Sequence, residues 1–244
     1  MASGDHNFLS PLAESAIVIT ICGRALSHAL VSSMEFGFGS ASLDFWLRHE
    51  WLDAMLHRTL EALSANARVV SAVTDPMVLF ALMMAHATAI FMSQIAEASG
   101  TNGQCRSTVV EYQQRATRAA REIASLARAH EHNGYFKVRH CRPCADMAPH
   151  PVCATHARLT HTPRGQAHIF LPLTVSLAAS QLLADRKRGM DAFYHQGLDG
   201  EAGSVLDDEI QSCMEALRKT QSFNQLARDH LAALESQEFV FGGF

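Results

Sequence analysis

Apolar residues recur three and four apart along most of this chain, and no stretch alternates apolar and polar residues in the two-residue rhythm of a half-buried strand. The first helical segment runs from about Leu12 to Leu30, where Ile17, Ile21, Leu26 and Leu30 form an apolar stripe. Ser10 can cap it, and Pro11 fits its first turn, where no amide donor is needed. Gly37 and Gly39 break the pattern. A second helix is predicted from Ser40 or Ser42 to about Leu63. Asp75 and Pro76 give a cap followed by proline, the start signal for a third. Gly100, Asn102 and Gly103 end it. Only His86 and Thr88 interrupt its run from Met77 to Met92, so other helices should surround it. At sixteen residues the run is short for a membrane span and fits a buried core helix.

The fourth segment, about Ser107 to His130, sets Arg115, Arg118, Arg121 and Arg128 against Val109, Ala116, Ala120 and Ile123. The texture then changes. Residues 131–166 carry Asn133-Gly134, four prolines, three cysteines and many histidines, with no apolar period, and read as a disordered loop. Helicity resumes from about Pro172 to Arg186. After a glycine-rich link, Gly189 to Gly203, a last helix spans about Val205 to Leu234, with Val205, Ile210, Met214, Leu217 and Leu231 facing inward. The expected fold is therefore all-α: an irregular bundle of about six helices around the third, with a disordered loop between the fourth and fifth.

The 244 residues are 48% hydrophobic and suit one globular domain with a sizeable core. A formal net charge of -4 argues against a domain that grips nucleic acid by itself, which would carry a basic face. Six scattered cysteines do not make a disulfide scaffold, residues 1–9 are polar and mixed, and a reducing intracellular setting is expected.

Candidate chemistry is sparse. Cys141, Cys144, Cys153 and His156, with His150 between them, have thiolate and imidazole ligands for a tetrahedral zinc ion, though the spacing is not that of a standard finger. His28, His49, His57 and His86 lie in helices, where a core or interface histidine is the commoner role, and no catalytic residue is expected among them. The arginine row of the fourth helix can meet phosphate or an acidic partner, but is more often a solvated face. Met77, Met83, Met84 and Met92 can line an adaptable pocket or simply fill a core. No phosphate-cradling loop, nucleophile elbow or HExxH pattern is present. The segment from Leu43 to Leu56 holds both tryptophans of the chain. Helical spacing brings Phe45 and Trp46 to His49, and Phe45, Trp46 and Trp51 are expected as buried anchors.

Five phrases carry a family resemblance: PLAESAIVITICGRALSH, DFWLRHEWLDAML, DPMVLFALMMAHATAIFM, EYQQRATRAAREIASLA and LRKTQSFNQLARDHLAALE. In this order they resemble the C-terminal part of the regulatory, or middle homology, region of fungal zinc-cluster transcription factors. The resemblance implies one all-helical regulatory domain over residues 1–244, located in the nucleus and controlling transcription. It implies no cofactor and no catalytic residues. Its implied partners are other transcription regulators, a homo- or heterodimer mate, or a small-molecule effector, with no membrane. The family's DNA-reading cluster of six cysteines has no counterpart, because Cys22, Cys105, Cys141, Cys144, Cys153 and Cys213 are too dispersed. Direct DNA binding by this chain is not expected. The alternative is a helical scaffold reused as a small-molecule-binding protein or an enzyme of secondary metabolism. Tyr135-Phe136-Lys137 and the phrase from Ala167 to Pro172 resemble two halves of one family phrase. Residues 138–166 then read as an insert, hypothesised to be a translated intron.

Overall fold

The computed structural model describes residues 9–37, 43–70, 75–99, 106–131, 171–196, 202–222 and 224–242. They form seven helices: α1 (Pro11–Gly37), α2 (Leu43–Val70), α3 (Pro76–Ser99), α4 (Arg106–Glu131), α5 (Leu171–Gln196), α6 (Ala202–Thr220) and α7 (Gln225–Gly242). No strand occurs among the described residues. The insert and its candidate metal ligands, Cys141, Cys144, His150, Cys153 and His156, lie outside them.

The expected starts are built as the sequence implies. The amide of Ala13 donates to Ser10 Oγ at 3.3 Å, and the amide of Met77 donates to Asp75 Oδ1 at 2.8 Å. The last expected helix is two. Thr220 Oγ1 donates back to the carbonyls of Ala216 and Leu217, and Asn224 Oδ1 then accepts the amide of Ala227 at 3.3 Å. The polar run around Ser222 and Asn224 thus supplies a new cap in place of another helical turn.

α3 organises the core because it is apolar on two faces. Leu79, Met83, Ala87 and Ile90 pack with residues of α4 to α7. Val78, Ala81, Leu82, Ala85, Met92 and Ile95 pack with α1 and α2. Spacings of three and four keep each set on its own side of the helix. On the first side the contact surfaces are rich in alanine, including Ala116, Ala120, Ala124, Ala178 and Ala179, and small side chains let helix axes approach closely.

Three sequence expectations are corrected by this packing. α1 turns Val18, Ile21, Ala25 and His28 inward, which leaves Ile17, Leu26 and Leu30 exposed. The apolar stripe therefore lies partly outside the core. Val205, near the start of α6, is exposed at 61%, because the packed face of α6 runs through Leu206, Ile210, Cys213, Met214 and Leu217. Trp51 is also exposed, while Phe45 is 1% exposed and Trp46 is partly buried against the α1–α2 side of the core. Among the described residues α1 and α3 are long and apolar enough to cross a membrane by length and composition; α3 is mostly buried and α1 mostly is not.

Candidate functional site

A buried polar cluster sits where α1, α2 and α4 meet. His28 and His49 are both buried and face each other, with Nε2 of His28 3.2 Å from Nδ1 of His49. One ring must donate and the other accept, and the lowered pKa of each keeps both rings neutral near pH 7. Aromatic rings enclose the pair. Phe45 stacks on both, Trp46 meets His49 edge-on, and Tyr112 of α4 does the same with centroids 4.8 Å apart. Burial, helped by the neighbouring Arg48, lowers the pKa of His28. Burial and then His28 bring that of His49 down to about 4. Burial first, and Asp53 next, raises the pKa of the Tyr112 hydroxyl. The expected meeting of Phe45 and Trp46 with His49 is thus present, and Tyr112 and His28 join it from other helices.

Two ion pairs brace the cluster. Arg48 Nη2 donates to both carboxylate oxygens of Glu35, at 2.8 and 2.7 Å. Arg115 grips Asp53 with two nitrogens at 2.6 and 2.7 Å and lies over the Tyr112 ring. The hydrogen bond to Asp53 is the main reason that the pKa of Arg115 is raised.

The arginine row of α4 is not a wholly solvated face, although Arg118 within it is exposed. Arg115 ties α4 to α2, Arg121 pairs with Glu209 of α6 at 3.2 Å, and Arg128 donates to Ser212 Oγ at 2.8 Å. These three arginines clamp helices together.

A depression of about 240 Å³ opens beside the histidine pair, lined by Arg24, Ser27, His28, Val31, Arg48, Trp51 and Leu52. Its walls are mostly apolar. Arg24 lies over the Trp51 ring at 5.3 Å, so the guanidinium covers the indole. Neither His86 nor the core methionine Met83 lines it. Burial brings the pKa of His86 down to about 4. Among the described residues no group of three or more His, Cys, Asp or Glu could hold a metal ion. Cys213 is a buried free thiol whose pKa burial pushes up to about 12.

Comparison with known proteins finds relatives of the chain. The chain is 30% identical over 235 residues to the pigment biosynthesis transcriptional activator pigB of Monascus ruber, covering 96% of this chain and 35% of that protein. The chain is homologous to fungal pathway-specific transcription factors. It is also 36% identical over 134 residues to the citrinin biosynthesis transcriptional activator ctnR of Monascus purpureus, covering 55% of this chain and 23% of that protein. With the azaphilone cluster-specific transcription factor azaR of Aspergillus niger the identity is 35% over 129 residues, covering 53% and 28%. The chain spans about a third or less of the length of these curated relatives. No protein-family model and no solved structure matches it.

Proposed function

We propose that the chain is a regulatory domain that controls transcription of a fungal biosynthetic gene cluster through protein contacts, in the nucleus, and not as an enzyme. The observation that carries this reading is an alignment along 96% of the chain with a pathway activator, at a length that leaves about two thirds of the activator unmatched. Residues 1–244 then correspond to one regulatory domain of a zinc-cluster factor, and 138–166 to an insert within it. The chemistry agrees with a scaffold. The His28–His49 pair is held neutral inside aromatic rings, three α4 arginines are engaged in clamps, and the depression beside Trp51 offers apolar walls. None of these supplies converging polar groups of the kind a reaction or a tightly held metabolite needs.

The reading is tested by deleting and overexpressing the gene in its native host and measuring transcripts of biosynthetic clusters. A coordinated change across one cluster in both strains is expected. Unchanged transcripts with a changed level of one metabolite would favour an enzyme or a metabolite carrier instead.

A further inference from the structure

The outer face of α1 has a more regular design than a solvated helix face requires. Leu12, Ala16, Ile19, Gly23, Leu26 and Leu30 follow one another at alternating steps of four and three residues, the seam spacing of helix pairs. All six are exposed; the next step of three falls on Ser33, and exposed Met34 lies one residue beyond it. Leu12, Ile19, Leu26, Leu30 and Met34 are between 51% and 70% exposed. Val31 beside them and Trp51 of α2, which line one depression, extend the patch. Together these side chains leave on the order of 800 Å² open, the share that each partner gives to an interface of standard size. Monomeric surfaces rarely leave so much contiguous apolar area uncovered.

The seam is nearly palindromic about Gly23. Ile19 and Leu26 flank it at four and three residues, Ala16 and Leu30 at seven on either side, and Leu12 and Met34 at eleven. We propose that this face is the interface with a second copy of the same chain, two α1 helices crossing antiparallel about a two-fold axis at Gly23. Such an axis sets each residue against its mirror position, so a large Leu30 meets a small Ala16 in both halves. Close to the axis it also brings a residue near its own copy, so charge at the centre of a self-docking face would repel. The seam carries no charged residue, and Arg24 beside it leans over Trp51. A Cβ on Gly23 would meet nothing within 4 Å, so the space over the helix at the axis is free for close approach of a second backbone. The inference concerns assembly and stands whether or not the transcriptional reading does.

Gly23→Leu is the discriminating variant. Within one copy its side chain projects into open space and improves helix propensity, so the fold is kept. At the axis two such side chains would collide. Sedimentation equilibrium of the full chain should show a dimer at micromolar concentration. Gly23→Leu and the double variant Ile19→Glu, Leu26→Glu should weaken dimerisation on the order of a hundredfold, with circular dichroism unchanged. A monomeric wild type, or a dimer indifferent to Gly23→Leu, would overturn the proposal. So would α1-dependent capture of the chain by phosphatidylcholine vesicles in preference to self-association.

Discussion

His49 makes the stability of this protein depend on acid in a calculable way. Its ordinary value is 6.5, and burial among aromatic rings brings it down to about 4 in the folded chain. The unfolded chain therefore takes up a proton on His49 as pH falls below about 6.5, while the folded chain does not until about 4. Stability is fully present above 6.5 and is lost progressively as pH falls through that window. The loss is about 3 kcal/mol for His49 once pH lies below the lower value. Near pH 5 the slope is about 1 kcal/mol per pH unit. His86, brought to about 4 by burial alone, contributes a second slope of the same size and sign. Together they remove about 6 kcal/mol, against a total of about 5–15 kcal/mol for an ordinary domain. Stability in urea unfolding should fall by about 4 kcal/mol between pH 7 and 5 and by about 6 kcal/mol by pH 4. His49→Phe keeps a ring against Phe45, Trp46 and Tyr112 and removes the proton site. Urea unfolding at several pH values should show a slope smaller by about 1 kcal/mol per pH unit than wild type, despite a neutral-pH cost of about 1–3 kcal/mol for the unpartnered His28 nitrogen. An identical slope in the two proteins would mean that His49 reaches water or is already charged, and would refute the burial argument.

Other expectations follow from the same packing. Phe45→Ala should cost about 3–5 kcal/mol in urea unfolding, whereas Trp51→Ala, on the open side of α2, should cost less than about 1 kcal/mol. A double-mutant cycle on Arg115→Ala and Asp53→Ala should return a coupling of about 1 kcal/mol, since the paired groups are about a third and a sixth exposed. Deleting residues 138–166 should leave the melting temperature nearly unchanged, because α4 and α5 are already joined by the shared apolar core and by the 2.6 Å hydrogen bond from Thr117 to Asp185. A fall of more than about 4 °C, the upper size expected for 1 kcal/mol lost from a domain of this length, would place that segment in the fold.

Much of the fold was legible because helix starts are local chemistry. Ser10 and Asp75 announce α1 and α3 by residue type alone, and the all-round apolar run from Met77 announces the centre of the core. The break before α7 also had a local sign, Asn224 as a cap, but the flanking apolar residues continue a helical spacing and concealed it. Inside and outside were harder to read. α1 and α2 carry apolar residues on more than one side, so periodicity alone could not choose which face meets α3. Trp51 and Leu30 were misplaced for that reason. The histidine cluster was half visible: Phe45, Trp46 and His49 are neighbours on one helix, whereas His28 and Tyr112 come from α1 and α4. Such tertiary meetings leave no spacing signal. The arginines of α4 looked like a solvated row because their acceptors, Asp53, Glu209 and Ser212, lie far away in sequence.

The central claim is that this helical body influences transcription by contact and not by chemistry. The most direct measurement fuses the 244-residue chain to an unrelated DNA-binding domain and reads a reporter carrying that domain's site in a fungal nucleus. The account predicts a change in reporter transcript that depends on the intact core and disappears with Phe45→Ala. A reporter unmoved by a folded, nuclear fusion would contradict it.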